Sequence, residues 1–233
     1  VIVPCYNSEL YIKNNIVKLN LSIRKYFRNV EYIVINDGST DNTIVHLKII
    51  KKKIKNFKII NFKENKGKSY AIKTALKMSF GKKILLCDSD IPYFDYLEKV
   101  LIKLKKNKLV VINRRHKKSK IIIKGRKIYN FTRTFIGNLI SLINFYILNI
   151  KIKDTQAGLK GFSNSLDLKK TNFISQRFFL DIEIFNFFKK KKIKPLEIPV
   201  NFKLETNDSS INFFDIKKNL QILLEYLKVI KSI

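Results

Sequence analysis

The sequence predicts a doubly wound α/β fold on a mostly parallel sheet. Three observations lead there: strand-like runs alternate with helical patterns through the first half, those runs are continuously apolar, and polar clusters sit at their carboxyl ends. At 233 residues and 45% hydrophobic content, the chain suits one large domain with a sizeable core.

The elements follow in order. Val1-Ile2-Val3 reads as a strand and is followed by a helical pattern from about Glu9 to Phe27. A second strand, Glu31–Ile35, leads to a helix near Asn42–Lys55, and a third, Phe57–Ile60, to a helix over about Gly67–Phe80. Ile84–Cys87 is the fourth strand; a helix near Tyr93–Lys106 then precedes the fifth, Leu109–Ile112. The second half changes character. Asp154–Phe162 is polar and glycine-punctuated, a loop entering a strand; Arg177–Glu183 leads into an amphipathic helix, and Ile193–Phe202 is a further strand.

In such sheets ligands bind beyond the carboxyl ends of the strands. The clusters at those ends are Pro4–Glu9, Asn36–Asp41 and Asp88-Ser89-Asp90. In extended backbone, residues two apart point to the same side, so Asp88 and Asp90 leave their strand together. Paired carboxylates there suit a hard divalent cation carrying a phosphorylated ligand. Asp-x-Asp also makes ordinary turns, and Asp37-Gly38 with Ser39 or Thr40 also reads as a turn and helix cap. Neither accounts for acidic groups recurring on one rim.

The net charge of +30 invites a nucleic-acid reading, but only seven of the 48 basic residues are arginine and the lysines are dispersed. A dispersed lysine coat attracts anionic surfaces of any kind, and no nucleic-acid partner is expected. Cys5 and Cys87, both beside apolar strands, read as reduced buried thiols, and His46 and His116 have no zinc-like spacing. The chain opens on Val in a strand pattern, so it is expected to lack its natural start. Nothing reads as a signal peptide, and no apolar run reaches the ~18–20 residues of a spanning helix.

Val-Ile-Val-Pro-Cys-Tyr-Asn from position 1, Ile-Asn-Asp-Gly-Ser-Thr-Asp from 35, Asn65-Lys66-Gly67-Lys68 and Asp88-Ser89-Asp90 together resemble the family 2 inverting glycosyltransferases. Asp154–Lys160, Phe179–Glu183 and Ile198–Phe202 are similar to the polyprenyl-phosphate branch, above all to dolichyl-phosphate β-glucosyltransferases. The resemblance covers essentially the whole chain. It implies a GT-A fold: a nucleotide-sugar half over residues 1–112, an acceptor half over 113–211 and a C-terminal amphipathic helix over 212–233.

It also implies roles. Pro4, Tyr6 and Glu9 would line the nucleotide pocket, Asp37 would accept hydrogen bonds from base or ribose, and Lys66, Gly67 and Lys68 would form the next wall. Asp88 and Asp90, with Ser89 between them, would hold Mg²⁺ or Mn²⁺ against the donor diphosphate. Arg115 and Arg126 would receive the lipid phosphate; Asp154, Gln156 and Asp181 would lie near the reacting sugar. The expected reaction moves a hexose, glucose first, from a nucleotide sugar such as UDP-glucose to polyprenyl phosphate. A family 2 enzyme with a cell-surface glycan acceptor and a basic nucleic-acid-binding module are the competing readings.

A polyprenyl acceptor requires membrane contact, expected to be peripheral on the cytoplasmic face of the cytoplasmic or ER membrane. Two segments fit. Phe135–Ile150 is apolar with a thin polar strip near Asn138, Ser141 and Asn149. Phe213–Ile233 puts Ile216, Leu220, Leu223, Leu227 and Ile230 on one stripe, with Lys217, Lys218, Lys228 and Lys231 elsewhere. The same stripe also suits a helix packed on the domain's own core.

Overall fold

The computed structural model describes residues 1–124, 137–138, 140–164, 166–205 and 216–233. The first half alternates as expected: β1 (Ile2–Cys5), α1 (Ile12–Arg24), β2 (Tyr32–Asn36), α2 (Thr43–Lys51), β3 (Phe57–Asn61), α3 (Lys68–Met78), β4 (Lys83–Cys87), α4 (Leu97–Lys106) and β5 (Leu109–Asn113). Then come β6 (Lys120–Lys124), a helix over 140–146 (α5), β7 (Leu159–Ser163), α6 (Leu166–Lys170), α7 (Leu180–Lys190), β8 (Leu196–Pro199), β9 (Asn201–Glu205) and α8 (Ile216–Ser232).

Seven strands form one sheet in the order β3-β2-β1-β4-β7-β5-β8. Every pairing is parallel except those of β7, which runs antiparallel to both β4 and β5. Alternate strand residues feed two cores. Val3, Val34, Leu85 and Val110 pack under α1, α2 and α4, while Ile2, Ile33, Ile84 and Val111 pack under α3, α7 and α8. Burial on both faces is why these strands read as unbroken apolar runs. Helix α4 shows the complementary pattern, burying Leu97, Val100, Leu101 and Leu104 at helical spacing.

The expected strand over Ile193–Phe202 is two strands, β8 and β9, divided at Val200; β9 leaves the main sheet to pair with β6 in parallel. The C-terminal stripe also lies differently from expectation. Ile222, Tyr226, Val229 and Ile230 pack on the core, whereas Leu220, Leu223, Leu224 and Leu227 remain 45–54% exposed. Helix α5 is inverted in the same sense. Ser141 and Asn144 are buried, with the Ser141 hydroxyl donating to the Lys153 carbonyl, while Leu142 and Tyr146 face solvent. Tyr226 Oη joins the two helices, 3.0 Å from Asn144 Oδ1. No helix among the described residues is long and apolar enough to cross a membrane.

Candidate active site

The loops after β1 and β2 are stitched into one wall. Asn7 Oδ1 accepts the Thr40 N–H and Ser39 Oγ the Asn7 N–H; Glu9 Oε2 accepts from Asn42, and Asp41 Oδ2 accepts from Glu9. Glu9 therefore fixes the wall through its own carboxylate. Tyr6 is half exposed above it, whereas Pro4 is buried inside β1, paired in register with Ile35, and so does not line the opening. Asp37 is also buried. Its two carboxylate oxygens accept the Lys66 and Gly67 N–H groups at 2.8 and 3.0 Å, so it shapes the 65–68 turn, with its oxygens already engaged there.

That turn needs its glycine. Gly67 has φ +97°, and a Cβ there would lie 2.6 Å from the Gln176 carbonyl oxygen. The turn delivers Lys68, at the start of α3, to the end of β4, where its Nζ lies 2.5 Å from Asp88 Oδ1. Burial alone would lower the Lys68 pKa, but Asp88, Asp181 and Asp90 raise it above the ordinary value. Asp88 sits directly over Gly158, and its backbone N–H donates to the Gly158 carbonyl at 2.9 Å. A Cβ on Gly158 would overlap the Asp88 carboxylate.

Ser89 and Asp90 complete the motif. Ser89 Oγ lies 3.2 Å from Ser8 Oγ, and Asn15 Nδ2 donates to the Ser89 carbonyl, tying the motif to α1. Asp90 reaches the surface of the rim, its carboxyl raised by lost solvation and by the neighbouring Asp88 charge. The next residue, Ile91, is held at φ +43°, a conformation disfavoured for a β-branched side chain.

Asp181, in the first turn of α7, pairs with Lys160 at 2.6 Å, and Lys160 is itself buried on β7 with its ammonium also on the Thr155 carbonyl at 3.1 Å. Asp88 thus pairs with Lys68 and Asp181 with Lys160, and the charges of Asp88, Asp181 and Asp90 all act on Lys68. Neither lysine pairing is legible in sequence, because a lysine in an Ala-Gly-Leu-Lys-Gly strand entry carries no sign of burial.

The acceptor side departs from expectation at Asp154. Its side chain is fully buried, and Arg114 holds it with Nε and Nη2 at 2.7 and 2.8 Å and its backbone N–H at 2.9 Å. Burial would raise the Asp154 pKa, but the Arg114 hydrogen bonds and charge hold it below the usual carboxylate value. Asp154 is a buried structural partner rather than a group open to a sugar. Arg115, half-buried at the same corner, donates from Nε to Asn138 Oδ1 at 3.2 Å and from Nη1 to the Lys153 carbonyl at 3.4 Å. Gln156 is exposed on the 154–158 segment. Arg126 lies outside the described residues. The Cys5 thiol, pushed up to about 12 by burial and by Asp41 and Asp37, and the buried Cys87 are both free but unsuited to nucleophilic work.

The donor set fits a hard cation only in part. Asp88 and Asp90 offer carboxylate oxygens, and the Asp90 carboxyl is raised first by lost solvation and then by the Asp88 charge, the part that a cation would offset. Among the described residues no group of three or more His, Cys, Asp or Glu side chains could hold a metal unaided. Phosphate oxygens of a ligand would have to complete the shell.

A mostly parallel sheet, an acid pair after its fourth strand and three stitched loops on one rim define the GT-A class of glycosyltransferases. The comparisons agree and narrow it: residues 1–169 match the model described as "Glycosyl transferase family 2", and the chain belongs to that family. It is 30% identical to the dolichyl-phosphate beta-glucosyltransferase of Dictyostelium discoideum over 97% of this chain and 74% of that one. It is 29% identical to the Saccharomyces cerevisiae protein of the same name over 87% of this chain and 66% of the other. The chain therefore spans only part of these relatives' length. Among solved structures, glucosyl-3-phosphoglycerate synthase from Mycobacterium tuberculosis with Mn²⁺ and UDP-glucose superposes with a TM-score of 0.64. That match has 15% identity and covers 99% of this chain and 78% of that one, so it bears on the fold alone.

Proposed function

We propose that this glycosyltransferase moves glucose from UDP-glucose to a polyprenyl phosphate at the cytoplasmic face of a membrane. The observation carrying the proposal is the rim itself: Asp88 and Asp90 after β4, with the Lys68 ammonium on Asp88. The names of the relatives aligned along most of the chain supply the sugar and the acceptor class.

Asp88 and Asp90 would hold Mg²⁺ or Mn²⁺. When bound, such a cation stabilises negative charge on the departing diphosphate. Lys68 adds a fixed positive charge at the same edge, and its pairing with Asp88 keeps that carboxylate aimed. The Asp37-anchored turn and the Glu9–Asp41 wall form the sides of the nucleotide pocket. A phosphate acceptor, with a second pKa of about 6, is largely dianionic at neutral pH and needs no strong general base. What it needs is positioning, and Arg115 offers planar donors for it, with Arg126 as its partner. The outward-facing leucines of α8 and the exposed apolar residues of α5, flanked by Lys228, Lys231, Lys151 and Lys153, suit contact with an anionic lipid surface.

The test is transfer of radiolabel from UDP-glucose, beside GDP-mannose, to polyprenyl phosphate in detergent with Mn²⁺ or Mg²⁺. A glucosylated lipid from the wild type, lost in Asp90→Asn with the fold intact, is the expected result. Label from GDP-mannose alone changes the sugar. Nucleotide-sugar hydrolysis without lipid product moves the acceptor to a glycan.

A further inference from the structure

Helix α8 shares a core with α3 and α7 on one face of the sheet, and one of its side chains reaches the rim through two short steps. Glu225 Oε1 accepts three hydrogen bonds of 2.7 Å, from the Ser175 hydroxyl and from the Gln176 and Arg177 N–H groups. The carbonyls of those last two residues in turn accept the opening N–H groups of α3: Tyr70 donates to Gln176 at 2.8 Å and Ser69 to Arg177 at 3.1 Å. Ser175 Oγ also lies 3.1 Å from Ser69 Oγ. Gly67 is pressed against the same carbonyl ridge, with no room for a Cβ. Lys68 lies between Gly67 and Ser69, and its ammonium is on Asp88.

The 174–177 segment has no helix or strand of its own, so side-chain acceptors must hold it. Glu183 takes the Ile174 and Ser175 N–H groups from α7, and Glu225 takes the remainder from α8. Using the Gln176 and Arg177 carbonyls as the cap of α3 also means that the Ser69 and Tyr70 N–H groups are not free to bind phosphate.

We propose that Glu225 is a positioning residue for the nucleotide-side rim, acting through residues 175–177 on the first turn of α3 and so on Lys68. Its carboxylate organises three donors at once, and a chain of bonded groups continues from it to Asp88. Coupling of this kind is carried by contiguous networks with a defined arrangement. The ligand-binding consequence rests on the nucleotide-donor reading above; the structural consequence does not.

Two measurements separate them. The first is amide hydrogen exchange of the ligand-free protein, comparing Glu225→Leu and Glu225→Gln with wild type. Exchange at Ser69, Tyr70 and 175–177 is expected to accelerate in Glu225→Leu and to be partly restored in Glu225→Gln, which keeps a carbonyl acceptor, while α1 amides stay unchanged. Should Glu225→Leu not fold, Glu225→Gln alone is read for the same local pattern. Unchanged exchange at Ser69 and Tyr70, or a uniform rise over the whole chain, overturns the proposal. The second is UDP affinity. Glu225→Leu is expected to weaken it about tenfold, and hardly at all when Lys68 is already Met, because both changes act on one element. Additive effects would overturn the route through Lys68. A wild type that binds no UDP would sink the donor reading and leave the exchange experiment to decide the role of Glu225.

Discussion

Arg114 directs three donors at the Asp154 carboxylate, two of them from its guanidinium, so removing that side chain leaves a buried charge with no counter-charge on it and a single backbone N–H. Arg114→Leu is expected to cost about 3–5 kcal/mol in urea unfolding at neutral pH. The pH dependence has a definite sign. Asp154 has a lowered folded pKa in the wild type, so its contribution is present above the ordinary value of 3.8 and is lost as pH falls through the folded one. In Arg114→Leu the unpaired carboxyl is instead pushed up and is relieved on protonation. The stability gap between the two proteins should therefore narrow with acidification, and a gap that widens refutes the pairing. Gly158 makes a second case. A methyl group there meets the Asp88 carboxylate, so Gly158→Ala should lower transfer by about 10²-fold through misplacement while leaving the melting temperature near wild type. The apolar run placed the acid pair at the end of β4, but strand period does not describe it: the strand stops at Cys87, and Ser89 and Asp90 lie in a turn closed by the Ile91 N–H on the Asp88 carbonyl. The burial of Asp154 was not legible, because its partner stands 40 residues away in the chain and an Asp-Thr-Gln loop looks the same whether it faces a ligand or a guanidinium.

Helix α8 carries apolar residues on more than one face, and periodicity does not say which face packs. Leu220, Leu223 and Leu227 repeat at the spacing of a core stripe, yet Tyr226 and Val229 are the residues that bury. Shape decides it: the Tyr226 ring packs on Phe179 with centroids 5.0 Å apart while its hydroxyl reaches Asn144, a fit no leucine provides. If the outer leucines meet lipid, Leu223→Glu with Leu227→Glu should reduce sedimentation with anionic vesicles several-fold while thermal unfolding shifts little. Val229→Asp, at a fully buried site, should instead unfold the domain. Equal vesicle binding by the double variant would remove α8 from the membrane reading. Among the strands, β1 to β5 were legible because they are apolar and evenly spaced. The reversed direction of β7 was not, since direction is set by the path of the preceding chain rather than by the strand's own residues.

The charge of +30 acts at the scale of the whole surface. Its lysines are spread rather than gathered, so attraction to anionic vesicles should weaken steeply between about 0.1 and 1 M salt, as the Debye length shrinks from ~10 to ~3 Å. Vesicle binding that ignores salt would assign the contact to the leucines alone. The sheet has a different whole-molecule property. Strand β7 lies between β4 and β5, which therefore do not pair with each other. Its antiparallel course starts at the end of β4, and so the 154–158 segment arrives beside Asp88. The same insertion orders events during synthesis. A nascent chain that has reached residue 113 holds five strands but cannot join the fifth to the rest until residue 163 has emerged, about 3–10 s later at ordinary elongation rates. For that interval the apolar edge of β4 is open to any neighbouring strand, and the emerging first half needs shielding that the finished enzyme does not.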